Sequence, residues 1–190
     1  MPDEARLAGA VLISLTAVWL LTPVARRLAV RAAFYDHPTG YKAHPAPTAY
    51  LGGAAVMAGF MLSVAAVGEN LSRWWPIIVC AAGLTVLGTL DDRHTVRPRY
   101  RLAAELGAAA VLWHFDLGWT FLGSDLEQLI LTGAWIVGFT NAFNLMDNMD
   151  GAASIVAAAC ATGIAAHALV VGGAAGLAIV ALALAGSCLG

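Results

Sequence analysis

From Leu102 to Gly190 the chain contains no lysine and no arginine, and four apolar runs follow one another there. Three more apolar runs precede that stretch. A water-soluble domain solvates its surface with mixed charge, at about 25% of residues. This chain is 60% hydrophobic and 12% charged. A bilayer instead excludes charge, and a helix crossing its core of about 30 Å needs about 20 mostly apolar residues. Only helices and closed barrels satisfy every backbone group there. The runs 7–24, 51–68, 74–90, 102–119, 126–143, 152–171 and 174–190 fit helices, with acidic residues interrupting the fourth and preceding the fifth. The expected fold is all-α, a polytopic transmembrane helix bundle of about seven spans. It forms a single integral-membrane domain over 1–190.

Basic residues give the orientation, because cytoplasmic loops carry the excess of lysine and arginine. Segment 25–50 holds Arg26, Arg27, Arg31 and Lys42, and segment 91–101 holds Arg93, Arg97, Arg99 and Arg101. Both fall on one side of the expected bundle, and only Arg6 and Arg73 fall opposite. The cytoplasmic loops are therefore expected at about 25–50, 91–101 and 141–151, with the N-terminus outside. Trp74 and Trp75 suit the outer interfacial belt. The acidic start MPDEAR argues for a retained anchor, not a cleaved leader. Cys80, Cys160 and Cys188 stand apart in apolar runs and read as small packing residues. Gly172-x-x-x-Gly176 and Gly186-x-x-x-Gly190 are spaced for close helix contact, a pattern that 20 glycines also produce by chance.

Three polar segments thus converge on one membrane face. LGTLDDRHTVRPRYRL ends an apolar run with Asp91 and Asp92. Helical neighbours point about 100° apart, so the pair divides its roles instead of chelating one ion symmetrically. Aspartate is unfavourable at the negative end of a helix dipole, and two in succession demand a compensating cation. NAFNLMDNMDG repeats Asn141, Asn144, Asp147 and Asp150 every third residue, which makes a continuous polar strip on a helix or a 3₁₀ turn. A helix cap accounts for one of these residues, not four. In DHPTGYKAHPAPTAYLGGAAV the prolines forbid a continuous helix. There Gly52 and Gly53 open the next span downstream of Lys42 and His44, a combination suited to phosphate. The face is net positive yet carries clustered carboxylates. A hard divalent cation joining carboxylates to phosphate oxygens fits that pattern.

In order and spacing, these three segments resemble the signature segments of the polyprenyl-phosphate N-acetylhexosamine-1-phosphate transferases (glycosyltransferase family 4). The first loop is most similar to the UDP-N-acetylglucosamine:undecaprenyl-phosphate branch. The resemblance implies a Mg²⁺-dependent transfer, with Mn²⁺ as an alternative ion. A polyprenyl (undecaprenyl or decaprenyl) phosphate attacks a UDP-sugar, giving polyprenyl-diphospho-sugar and UMP, the first membrane step of cell-envelope glycan synthesis. It implies catalytic roles for Asp91, Asp92 and Asp147, with Asp91 and Asp92 at the metal. It implies substrate contacts from Lys42, His44, Asn144 and Asp150, Asp150 nearest the base. The implied location is the inner (plasma) membrane with a cytoplasmic active face. No nucleic-acid partner is expected, and a homodimer is left open.

The pattern departs at Asn148, Ala152, Arg101 and Glu105, where Gly, Leu, Lys and Gln are usual in the family. The family also runs to about twice this length, with a further aspartate motif and a histidine-rich loop. The chain is accordingly expected to be the N-terminal part of a transferase, truncated before those motifs, or an inactive remnant of one. A membrane transporter with an acidic site at its cytoplasmic face is the rival outside enzymes. Its site would sit near the midplane between related halves, whereas these acids gather at one face. CDP-alcohol transferases are excluded, since no arginine or later aspartate follows Asp150-Gly151.

Overall fold

The computed structural model describes residues 3–36, 48–147, 149, 151–172 and 174–190. Seven helices lie where the apolar runs place them: α1 (Asp3–Arg31), α2 (Gly52–Val67), α3 (Leu71–His94), α4 (Pro98–His114), α5 (Asp125–Met146), α6 (Ala152–Val170) and α7 (Ala175–Leu189). A short antiparallel ribbon joins α1 to α2, with β1 (Tyr35–Asp36) paired to β2 (Thr48–Ala49). The ribbon is the one departure from an all-α chain among the described residues.

Four helices, α1, α3, α5 and α6, are long and apolar enough to cross a membrane; α2 and α7 are apolar but shorter. The 17 residues of α4 include Arg99, Arg101 and Glu105. Three helices outrun the apolar windows that marked them. Expected over 7–24, α1 continues to Arg31, so Arg26, Arg27 and Arg31 lie on helix rather than in the loop drawn from residue 25. At 1.5 Å per residue its 29 residues run about 43 Å, beyond an apolar layer of about 30 Å. Hydropathy marks where a helix leaves lipid, while arginine and alanine go on favouring helix in water. For the same reason α3 extends through Asp91 and Asp92 to His94, and α5 through Asn141 and Asn144 to Met146.

The start of α5 is fixed by a reciprocal cap. The Glu127 N–H donates to Ser124 Oγ at 3.3 Å, and the Ser124 N–H donates to Glu127 Oε2 at 3.1 Å. Asp125 and Glu127 also sit where the helix dipole favours negative charge.

Helices α1, α2 and α7 form the tightest part of the bundle, around Ala10, Phe60, Val64, Val67, Ile179, Val180 and Ala183. Two buried serine hydroxyls, of Ser14 and Ser63, both donate to the Ala10 carbonyl at 2.8 Å. Small residues allow this approach, as is usual where helices meet in lipid. A Cβ on Gly186 would collide with Ser14 Oγ and come within 2.7 Å of the Val11 carbonyl oxygen. Gly190, four residues on, would likewise meet the Leu15 carbonyl. The Gly186-x-x-x-Gly190 spacing is therefore a true helix contact. Gly172 has only ordinary contacts, so Gly172-x-x-x-Gly176 is not one face of the same kind. Alanines at 165, 168, 178 and 181 close α6 against α7. Only Pro76 is buried on α3, which leaves Val79, Val86 and Leu90 facing outward. Cys160 is exposed on α6, unlike the half-buried Cys80 and Cys188.

Contacts at the helix ends fix the topology. Arg6, near the start of α1, pairs with Glu69 in the α2–α3 connection. Trp74 and Glu69 line the start of α7 at Gly176. The opposite end gathers the close of α1, the ribbon, the start of α2, the close of α3 and the start of α4. The Phe34 N–H donates to the Ala29 carbonyl at 2.9 Å, and the Tyr50 N–H to the Phe34 carbonyl at 3.3 Å.

Candidate functional site

At the close of α3, Asp91 is held on both oxygens. Its Oδ1 accepts the Val96 N–H at 2.7 Å, and its Oδ2 accepts Arg101 Nη1 at 3.0 Å. Its carbonyl accepts the Thr95 N–H at 2.9 Å, with Thr95 in the left-handed region at φ 48°. One aspartate thus closes the reversal from α3 into α4. Two aspartates at a helix C-terminus call for a cation, and for Asp91 the chain supplies its own. Asp92, one residue on, is exposed.

Arg101 is set by the packing of α4. One turn further along that helix lies Glu105, 3% exposed, against α5. Glu105 Oε2 accepts Asn141 Nδ2 at 2.8 Å, and the same amide donates to the Val137 carbonyl at 2.9 Å. Arg101, Glu105 and Asn141, with Pro98, Arg99 and Leu102, line a pocket of about 300 Å³. Glu105, midway along α4, meets Asn141 near the end of α5, whereas the Trp119 N–H, beyond the end of α4, donates to Thr132 Oγ1 in the first half of α5 at 3.0 Å. The two helices are therefore antiparallel, and the close of α5 shares the end of the bundle that carries Asp91 and Asp92. Asn144 lies in the last turn of α5 and Asp147 at its cap, both exposed.

The first polar segment joins from the other side. The guanidinium of Arg93 lies 5.8 Å from the centre of the Phe34 ring, within cation–π range. Phe34 packs on Tyr50 with ring centres 4.7 Å apart. Gly52 and Gly53 open α2 with nothing within 4 Å of a Cβ on either.

The structure therefore brings the α3–α4 turn, the close of α5 and the base of the ribbon to one end of the bundle. Lys42, His44 and Asp150 lie outside the described residues. Arg101 and Glu105, which the sequence reading gave no place in the site, prove to be the side chains that tie Asp91 and Asn141 to α4. An (i, i+4) pair of opposite charges entering an apolar run was the available signal. Among the described residues, no three His, Cys, Asp or Glu side chains group closely enough to cage a metal. Magnesium does not need such a cage, because it typically takes one or two carboxylates and completes its shell with water and substrate phosphates. The exposed carboxylates of Asp92 and Asp147 are hard oxygen donors of that kind.

The contact between buried Glu105 and exposed Asn141 is measurable. A double-mutant cycle of Glu105→Ala and Asn141→Ala is expected to give a coupling of about 1.5–3 kcal/mol in detergent unfolding, as for a hydrogen bond to a charged group. Additive effects would place the contact outside the folded protein.

An α-helical bundle that presents acids, amides and arginines at one end defines a multi-pass membrane protein with a polar site at a bundle face. The family model for glycosyl transferase family 4 matches residues 74–190, more than half of the chain. The chain belongs to that family. It is similar to a probable undecaprenyl-phosphate N-acetylglucosaminyl 1-phosphate transferase of Bacillus subtilis (strain 168), 31% identical over 78% of this chain and 44% of that protein. It is also similar to a decaprenyl-phosphate N-acetylglucosaminephosphotransferase of Mycolicibacterium smegmatis, 28% identical over 75% of this chain and 41% of that one. A third relative is an undecaprenyl-phosphate alpha-N-acetylglucosaminyl 1-phosphate transferase of Escherichia coli K12, 28% identical over 67% of this chain and 37% of its own. The chain spans less than half the length of these relatives.

Proposed function

We propose that this chain supplies part of the active site of a sugar-1-phosphate transferase. The protein moves N-acetylglucosamine 1-phosphate from its UDP-sugar to a polyprenyl phosphate and releases UMP. The observation that carries the reading is the meeting of the α3–α4 turn with the close of α5 and the ribbon base, joined through Arg101, Glu105, Asn141 and Arg93. The names of the relatives supply the donor and acceptor classes.

The chemistry needs little from a base. A phosphate monoester has a second pKa near 6, so the lipid phosphate is already mostly ionised at neutral pH. Phosphoryl transfer demands in-line positioning and neutralisation of charge. The exposed carboxylates of Asp92 and Asp147 would hold a Mg²⁺ ion, which would supply that neutralisation when bound. Asn144, exposed one turn before Asp147, hydrogen-bonds the nucleotide in this reading, and the exposed arginines around α4 attract phosphate. Lys42, His44 and Asp150 are assigned to the same substrate by family resemblance. The arginines of α1 and of the α3–α4 turn support a cytoplasmic orientation of this face, and the family resemblance supports an inner (plasma) membrane. A pairing of two copies is compatible with the outward apolar face of α3.

The test is UMP release from UDP-N-acetylglucosamine by the full-length protein in proteoliposomes. Release is expected only when both a polyprenyl phosphate and Mg²⁺ are present. Solute flux across the same vesicles without nucleotide turnover would instead favour a transporter.

A further inference from the structure

Past its apolar run, α1 carries Arg26, Arg27 and Arg31, all exposed. Arg6 and Arg101 pair with Glu69 and Asp91, whereas no carboxylate among the described residues pairs with these three. On the helix they fall on adjoining rows. Trp19, Pro23, Arg27 and Arg31 follow one another at four-residue steps, and Thr22 and Arg26 make the neighbouring row. Thr22, Pro23, Arg26, Arg27, Val30 and Arg31 line a groove of about 520 Å³. Its depth in the bilayer follows from helix geometry. The apolar run 7–24 covers about 27 Å of helix, nearly the thickness of a bilayer's hydrocarbon. Thr22 and Pro23 therefore lie in the last turn within the apolar layer, while the arginines reach the level of the lipid phosphates. Trp19, Leu20 and Val24, exposed on the hydrocarbon side, continue the groove as an apolar surface.

We propose that this face of α1 binds one anionic phospholipid, its phosphodiester on the three guanidinium groups and its acyl chains along Trp19, Leu20 and Val24. Arginine holds phosphate oxygens through paired, charge-assisted N–H bonds. Basic residues clustered just past a spanning helix attract anionic headgroups. A water-soluble phosphate would leave the apolar half of the groove unused. The lining residues all belong to α1, so the lipid site stands apart from the acids of α3 and α5 and takes no part in the transfer chemistry.

The experiment titrates the purified full-length protein, in a neutral detergent, with phosphatidylglycerol or phosphatidylcholine and follows the first bound lipid by native mass spectrometry. Phosphatidylglycerol is expected to bind about a hundredfold more tightly, and rising salt should weaken it. Arg26→Gln, Arg27→Gln and Arg31→Gln should each cost about fivefold, and the triple variant should lose the preference altogether. Arg73→Gln, which removes the same charge at the other end of the bundle, should leave the affinity unchanged. Lysine at all three positions keeps the charge and should retain most of the affinity, which guards against a misfolded glutamine triple. The inference is overturned if phosphatidylglycerol has no advantage, if Arg73→Gln weakens it as much as Arg27→Gln, or if the lysine triple also loses it. Displacement of phosphatidylglycerol by undecaprenyl phosphate at a tenth of its concentration would give the groove to another lipid and overturn it too. No arm reads UMP release, so failure here leaves the transferase reading standing.

Discussion

Asp92→Asn in the full-length protein is expected to lower UMP release by about a thousandfold or more, the scale on which a lost electrostatic contact to a transition state is felt. Asparagine keeps the shape of the side chain and removes its charge. The residue is exposed at the end of α3, so membrane insertion should stay at the wild-type level. Asp147→Asn, at the exposed cap of α5, should behave alike. Asp91→Asn should also lower turnover, but with a fall in melting temperature, because it breaks the pairing with Arg101. The readout is UMP formation in membrane vesicles beside a melting curve for each variant. Near-normal turnover in both Asp92→Asn and Asp147→Asn would remove the acidic site from the chemistry.

The second large effect is structural. Gly186→Ala places a Cβ against Ser14 Oγ and within 2.7 Å of the Val11 carbonyl oxygen. Both belong to the α1 side of the tightest interface, and the carbonyl cannot rotate away. The expected loss is about 1–3 kcal/mol, and Gly186→Leu should exceed it, since well-packed interfaces tolerate added volume poorly. Gly163→Ala is the control, because nothing lies within 4 Å of a Cβ there. That change should be neutral, or stabilising by up to about 1 kcal/mol through helix propensity. Thermal unfolding in detergent compares the two. Equal behaviour at both positions would mean that α1 and α7 do not meet at Gly186.

The resemblance of NAFNLMDNMDG, LGTLDDRHTVRPRYRL and the proline-rich loop to one family was legible in the residues, because each carries polar groups that lipid tolerates only at a site. The helix count was legible for a related reason, since apolar runs near spanning length leave few alternatives. Helix ends were less legible. Asp91 and Asp92 looked like residues following a span, yet they lie in its last turn, and α1 runs on past Val24 to Arg31. Hydropathy reports the solvent around a helix, and the backbone does not stop at that boundary.

The sequence by itself determined that this chain is a bundle of membrane helices with three polar segments and a family likeness. Those features depend on local composition and spacing, which one-dimensional reading captures. Only the tertiary structure decided which charges meet. Nothing in the residue order says that Arg101 neutralises Asp91, that buried Glu105 receives Asn141 from another helix, or that Arg93 reaches Phe34. Pairing at a few ångströms depends on how helices rotate and cross. That is settled by packing among distant small residues such as Gly186 and Ala10, not by the polar segments themselves.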